Sequence, residues 1–443
     1  GSFNTFKNTV KFSTGLLNER FELSGRVATI ASDGYIDRAS SDLKSYFFQG
    51  LYKDQNTLIK ALTFGGSEIT YQSWYGIDSG TLATNRTYNK AGEMYNSTGV
   101  LTGHYDNQVD NYKQDHFQFH WTQQYNSFWS STIGLNYTYG RGYYEEYNDL
   151  WATQNIAFGD EVNFDYLQIT PLVSGGITID TTENISRKWL DNNFYVGTFS
   201  LNYDSNQTNA VFGGSYSSYN GDHFGNLIWA QYASNAAPNH RFYESNADKK
   251  DFNLYSKVTQ RLGTAWTVYA DVQYRTVAYN SRGTVKGPEP IAIDDTLSFF
   301  NPKAGITYRA SEASRLYLSY AKAQREPNRS DYENGTPKSE SLNDFEAGWR
   351  FKEEKVQLQA NLYYMDYENQ LVLTGALDAV GEPIRTNSGA SYRFGLEIEA
   401  AIQFAEQWVW QPNLAVSSNK NKDFYFKRDG LLQNLGTTNI SYS

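Results

Sequence analysis

The sequence predicts an all-β chain, a transmembrane antiparallel β-barrel of about 16–18 strands, and three observations predict it. Apolar and polar residues alternate with period two over many long segments. The connections between those segments alternate between short and long. Aromatic residues concentrate near segment ends. No run approaches the ~20 apolar residues of a membrane helix, which excludes a helical membrane protein. A barrel strand alternates, stays polar on average and is not excluded.

Composition agrees. Of 443 residues, 40% are hydrophobic and 16% are aromatic, with 36 Tyr, 26 Phe and 10 Trp. The aliphatic remainder is thin for several α/β cores, which argues against a multi-domain soluble enzyme. The net charge of −10 gives no basic balance for nucleic acid. Zero cysteines exclude disulfides and Cys-ligated zinc or iron–sulfur sites.

The strands are justified one by one. Trp266, Val268, Ala270, Val272 and Tyr274 alternate with Thr267, Tyr269, Asp271, Gln273 and Arg275. Phe345, Ala347, Trp349 and Phe351 alternate with Glu346, Gly348, Arg350 and Lys352. Val356, Leu358, Ala360, Leu362 and Tyr364 alternate with Gln357, Gln359, Asn361, Tyr363 and Met365. Phe394, Leu396, Ile398, Ala400 and Ile402 alternate with Gly395, Glu397, Glu399, Ala401 and Gln403. Each segment therefore has one apolar and one polar face. Lengths of ~9–11 residues or more match a tilted bilayer span.

Short connections are expected at Leu17–Arg20, Asp54–Asn56, Asn126–Phe128, Gln207–Asn209, Arg261–Thr264, Ser311–Ser314, Lys352–Lys355 and Ala405–Gln407. Long ones are expected at Asp78–Lys113, Glu145–Asn192, Ala233–Lys250, Ser281–Leu297, Ser330–Leu342, Ala376–Ser388 and Asn419–Leu435. Short turns on one rim and long loops on the other describe an outer-membrane barrel. Aromatics such as Phe128, Trp129, Trp408 and Trp410 suit the headgroup level.

Two stretches carry a family resemblance. One is Arg325-Glu326-Pro327-Asn328-Arg329-Ser330-Asp331-Tyr332, followed by Pro337-Lys338-Ser339-Glu340-Ser341-Leu342 and Asp344-Phe345-Glu346-Ala347-Gly348. The other is Asn387-Ser388-Gly389, followed by Gly395-Leu396-Glu397-Ile398-Glu399. Ile30–Arg38 is similar to an early strand–loop element. Together they resemble the barrel of a TonB-dependent outer-membrane receptor. The resemblance implies a 22-stranded barrel type with a plugged lumen, of which residues 1–443 would be the barrel portion without plug and last strands. It implies an outer-membrane location in a Gram-negative bacterium and import of a scarce nutrient, foremost a ferric siderophore or related iron chelate. It also implies energy coupling by an inner-membrane TonB-type partner acting through a plug. Haem, cobalamin and glycans stay open as cargo. A passive porin and a soluble all-β carbohydrate-binding protein are the alternatives.

Loops on a rigid scaffold commonly hold specificity. Candidate ligand residues are Tyr143, Tyr144, Trp151, Trp229, Arg325, Arg329 and His104, because aromatics and Arg suit a large, flat or anionic chelate. His116 and His120 share one strand face but lie ~13 Å apart, too far to chelate one ion. Carboxylates at Asp106, Asp110 and Asp115, or Asp160, Glu161 and Asp165, lack a calcium-loop signature, so no metal is assigned. Lumenal Arg275, Arg350 and Arg393 are expected to pair with carboxylates or with a plug. No nucleophile elbow, phosphate loop or His-Glu-x-x-His occurs, so the reading is not an enzyme, and no cofactor is called for.

Overall fold

The computed structural model describes residues 1–157, 159–377, 383–422, 424–428 and 431–440. One antiparallel sheet of 18 strands dominates it. Its strands, in chain order, are β1 Phe6–Ser13, β2 Phe21–Ser32, β3 Ser41–Lys53, β4 Thr57–Tyr71, β5 Val109–Gln124 and β6 Trp129–Asn148. Next come β7 Asn184–Asp204, β8 Thr208–Ala230, β9 His240–Leu262, β10 Trp266–Val285, β11 Glu289–Arg309 and β12 Ser314–Arg325. The last are β13 Glu340–Lys352, β14 Val356–Glu368, β15 Ala390–Ala405, β16 Trp408–Trp410, β17 Asn413–Asn421 and β18 Thr438–Asn439. Each strand pairs with its sequence neighbour; β16 and β17 both lie along β15.

The period-two pattern becomes two faces. One register row links Val268, Ile306, Leu318, Ala347, Leu362, Leu396 and Val416 across seven strands. Leu318, Leu362, Leu396 and Val416 in it are exposed to the outside of the sheet. The opposite face is the concave one: Glu326, just after β12, reaches Arg275 on β10 and Lys249 on β9 there. The Tyr317 hydroxyl on β12 donates to Asn361 Oδ1 on β14 at 2.8 Å. A Cβ on Gly348 between them would collide with the Tyr317 ring, so only glycine lets the tyrosine lie flat across β13.

The rims alternate as expected. Three-residue turns join β3 to β4 and β7 to β8, while 35 or more residues join β4 to β5 and β6 to β7. The strands reach further into the long-loop rim than the sequence pattern suggested. Glu145–Asn148 and Asn184–Asn192, read as loop, belong to β6 and β7. Ser281–Leu297, read as loop, is a hairpin extension in which Ser281 opposes Ile293, and only residues 286–288 turn. Strands of 21 to 23 residues therefore project well beyond a bilayer span. The expected loops at Ala376–Ser388 and Asn419–Leu435 lie partly outside the described residues.

Candidate functional site at the lumen mouth

The concave face below the long loops gathers a charged and aromatic cluster. Glu326, the first residue after β12, folds inward past β11. It accepts two hydrogen bonds from Arg275 on β10, at 2.8 and 2.9 Å, and one from Lys249 on β9 at 3.1 Å. Arg275 also donates to Asp251 at 2.9 Å through Nε. Burial opposes the Glu326 charge. The hydrogen bonds from Arg275 and from its own backbone, with the charges of Arg275 and Lys249, outweigh it and hold the carboxyl down at about 2.

The Arg-Glu-Pro-Asn-Arg segment then makes one helical turn, Arg329–Glu333, with Asn328 and Asp331 as a capping box. That turn sets Arg329 inward. Its Nε donates to Glu333 at 2.7 Å and its Nη2 to Ser245 at 3.2 Å, while buried Nη1 has no hydrogen-bond partner among the described residues. The guanidinium lies within electrostatic reach of Tyr219, His223, Tyr243 and Tyr279. The Tyr332 hydroxyl donates to Asp295 at 2.7 Å, and Arg385 clasps Asp331 at 2.8 and 3.1 Å.

A second cation, Lys188 on β7, sits on the same face. It donates to Glu146 at 3.2 Å and lies 5.3 Å from the Tyr144 ring, which Trp74 meets edge-on at 5.8 Å. Loop 149–183 closes over it. The buried cluster Phe164, Leu167, Ile169, Leu227 and Phe242 packs that loop onto the ends of β8 and β9. Burial pushes the loop phenols Tyr75 and Tyr166 up to about 12, so both stay protonated donors near neutrality. Tyr243 lies within electrostatic reach of both Lys188 and Arg329.

The sequence candidates divide between these surroundings. Tyr144 and Arg329 come to the concave cluster. Tyr143 points to the convex face, 4.5 Å from Trp189 and beneath Arg187. Trp151 packs on Tyr95 at 5.0 Å inside the loops. Trp229 is exposed near the end of β8, and Arg325 pairs with Glu340 at 3.3 Å. His104 ends a small hairpin opposite Glu93, where burial and the Arg38 charge lower its pKa. His116 stacks on Phe64 at 4.4 Å, and His120 contacts Gln118 at 3.2 Å. Among the described residues no group of three or more His, Cys, Asp or Glu converges on a metal position. Lys188, Tyr219, His223, Tyr243 and Tyr279 were not singled out in the sequence. Their shared signal is strand parity: each occupies the polar-face position of its strand.

Residues 8–439 match the family model described as TonB dependent receptor-like, beta-barrel. The chain belongs to this family. Solved structures agree in fold. The copper transporter OprC superposes with a TM-score of 0.62 at 13% identity, covering 95% of this chain and 60% of that one. The siderophore receptor PiuA from Acinetobacter baumannii gives 0.59 at 11% identity, covering 98% and 65%. The ferric-catecholate import receptor Fiu from E. coli K12, in its closed form, gives 0.57 at 14% identity, covering 97% and 65%. The chain thus spans a little under two thirds of the length of these structures. No curated sequence matches it.

Proposed function

We propose that the chain forms the barrel of an outer-membrane active-transport receptor of a Gram-negative bacterium. Its cargo is a scarce nutrient, a ferric siderophore or a related iron chelate. The supporting observation is the concave-face cluster in which Arg329 and Lys188 both lie within electrostatic reach of Tyr243, next to loops 149–183 and 326–339. Guanidinium and ammonium groups set among protonated phenols suit a flat, anionic, aromatic-rich chelate better than a bare ion. Import draws its energy from an inner-membrane partner of the TonB type, acting through a plug in the lumen. Outer-membrane lipid surrounds the convex face. Of the residues considered from sequence, Tyr144 and Arg329 contact the cargo directly. Tyr143, Trp151, Trp229, Arg325 and His104 shape the loops and the rim around it.

Purified full-length receptor in detergent, titrated side by side with ferric catecholate, ferric hydroxamate, haem and cobalamin, tests this reading. Saturable binding of an iron chelate, weakened at least tenfold by Arg329→Ala, is the expected result. Binding of none of the iron chelates would overturn the cargo assignment.

A further inference from the structure

The seam between β11 and β12 opens partway up the wall. β11 pairs with β12 from Arg309 opposite Arg315 as far as Lys303 opposite Ala321, although β12 runs on to Arg325 against β13. Pro302 ends the ladder, because a proline nitrogen has no hydrogen to give to the neighbouring strand. Two residues further up, the Phe300 amide donates to the Gln324 side chain at 3.2 Å and not to a β12 carbonyl.

Above that point β11 is paired on one side only. Glu289–Phe300 pair with β10 from Val285 to Tyr274. The amides of a strand point to its two flanks in turn. Phe300 points its amide to the β12 side, so Ala292, Asp294, Thr296 and Ser298 point theirs the same way. None of these four N–H groups has a hydrogen-bond partner among the described residues, and all four residues are exposed. Pro290 has the same parity, so prolines bracket the open edge at both ends. A tilted bilayer span takes ~9–11 residues, which carries the wall from Arg309 to about Phe299. In the outer-membrane placement proposed above, the open edge therefore stands outside the bilayer.

The lumen side of this edge is walled by loop 326–339. Its helical turn sets the Tyr332 hydroxyl on Asp295 at 2.7 Å, and Ile291, Ile293 and Phe299 are buried. The loop makes no backbone hydrogen bond to β11 among the described residues, so it flanks the edge without pairing with it. A cavity of about 360 Å³ remains between the loop and the top of the strand, lined by Val285, Ile291, Ile293, Tyr332 and Pro337. Lys286 offsets Glu289 there, and Glu333 is held by Arg329 at 2.7 Å, so the cavity favours neither charge.

Unpaired sheet edges are templates for another strand. Donors and acceptors repeating every second residue, about 6.8 Å apart, match an extended backbone, whereas an ion, a sugar or an acyl chain carries no such repeat. In strand addition the main chain supplies affinity and a side-chain pocket supplies specificity. We propose that the β11 edge from Ala292 to Ser298 binds an extended segment of a polypeptide outside the cell by strand addition, with one neutral, apolar side chain of that segment in the cavity beside loop 326–339.

The test selects a phage-displayed library of random twelve-residue peptides on purified full-length receptor in detergent. Recovered peptides are then titrated against wild type, Thr296→Pro and Thr296→Val. Proline at 296 removes one outward N–H and leaves the β10 ladder intact, as Pro290 and Pro302 do on the same strand. Thr296→Pro should weaken binding at least tenfold, and Thr296→Val should leave it unchanged. N-methylation of alternate residues of a recovered peptide should abolish binding in one register and not in the other, which tests pairing independently of any receptor variant. Replacing the peptide's apolar anchor by serine should cost about tenfold. Recovered peptides that bind Thr296→Pro as tightly as wild type would overturn the edge as the site, and so would recovery of no binding peptide. A dimer of the receptor that Thr296→Pro dissociates, with no peptide recovered, would assign the edge to a second copy of the chain and overturn the peptide. Thr296 lies on the convex side, away from Arg329 and Lys188, so iron-chelate binding should be unchanged in both variants. Peptide binding without chelate binding would sink the cargo assignment and leave the edge site standing.

Discussion

Arg275 holds two carboxylates, Asp251 and Glu326, against a partly buried wall, and Glu326 fastens the start of loop 326–339 to β9 and β10. Removing the cation leaves two acids facing each other with only Lys249 nearby. Arg275→Met should therefore destabilise the folded barrel by roughly 2–3 kcal/mol, below the full cost for a wholly buried pair because both partners retain some solvent. Urea unfolding in detergent measures it, and the double variant Arg275→Met/Glu326→Gln should recover part of the loss. A single-variant effect under about 0.5 kcal/mol would contradict the network. The pH dependence has a definite sign. Glu326 titrates at about 2 in the folded protein, below an ordinary carboxyl near 4.5. Its contribution is then fully present above pH ~4.5 and fades as the pH falls toward 2. The urea-midpoint gap between wild type and Glu326→Gln should be flat from neutrality to pH 4.5 and close only in stronger acid.

At the scale of strands and loops, the exposed apolar row from Val268 to Val416 is the side expected to meet lipid in the proposed barrel. Leu362→Arg and Leu396→Arg should each cost about 2–4 kcal/mol at mid-depth and slow barrel assembly. Unimpaired assembly of both would assign the faces the other way. Loop 149–183 packs on β8 and β9 but stands outside the ladder. Deleting residues 150–182 should weaken chelate binding at least tenfold while the barrel still inserts. A cut running on to Leu190 should instead break β7, because Asn184–Leu190 pair with both β6 and β8.

The strands and the alternation of rims were legible because membrane-facing residues must be apolar and their neighbours polar, which writes period two into the sequence. The outward extensions were not legible. Ser281–Leu297 contains Gly283, Gly287, Pro288 and Pro290, and its only apolar alternation is the short run Ile291, Ile293 and Leu297, so it reads as loop. Cross-strand pairing with its own hairpin partner makes it strand regardless. Tyr144 and Arg329 were noticed as loop aromatics and arginines. Tyr144 meets Lys188 as its register partner on the adjacent strand, whereas Arg329 comes near Tyr219, 110 residues earlier, only through the folding of the concave face.

Taken whole, the molecule separates three environments by geometry alone: a convex apolar band, a concave polar wall, and a rim where long loops fold inward over paired cations and tyrosines. The nutrient capture proposed above would belong to the third. The most direct test is a structure of the full-length receptor bound to a ferric chelate, with the metal located by its anomalous X-ray signal. Iron should appear on the concave side, between Lys188 and Arg329 and beneath loops 149–183 and 326–339, with Tyr243 within reach of the chelate. Iron found only on the outer loop tips, or no bound iron at saturating chelate, would contradict a lumen-mouth site.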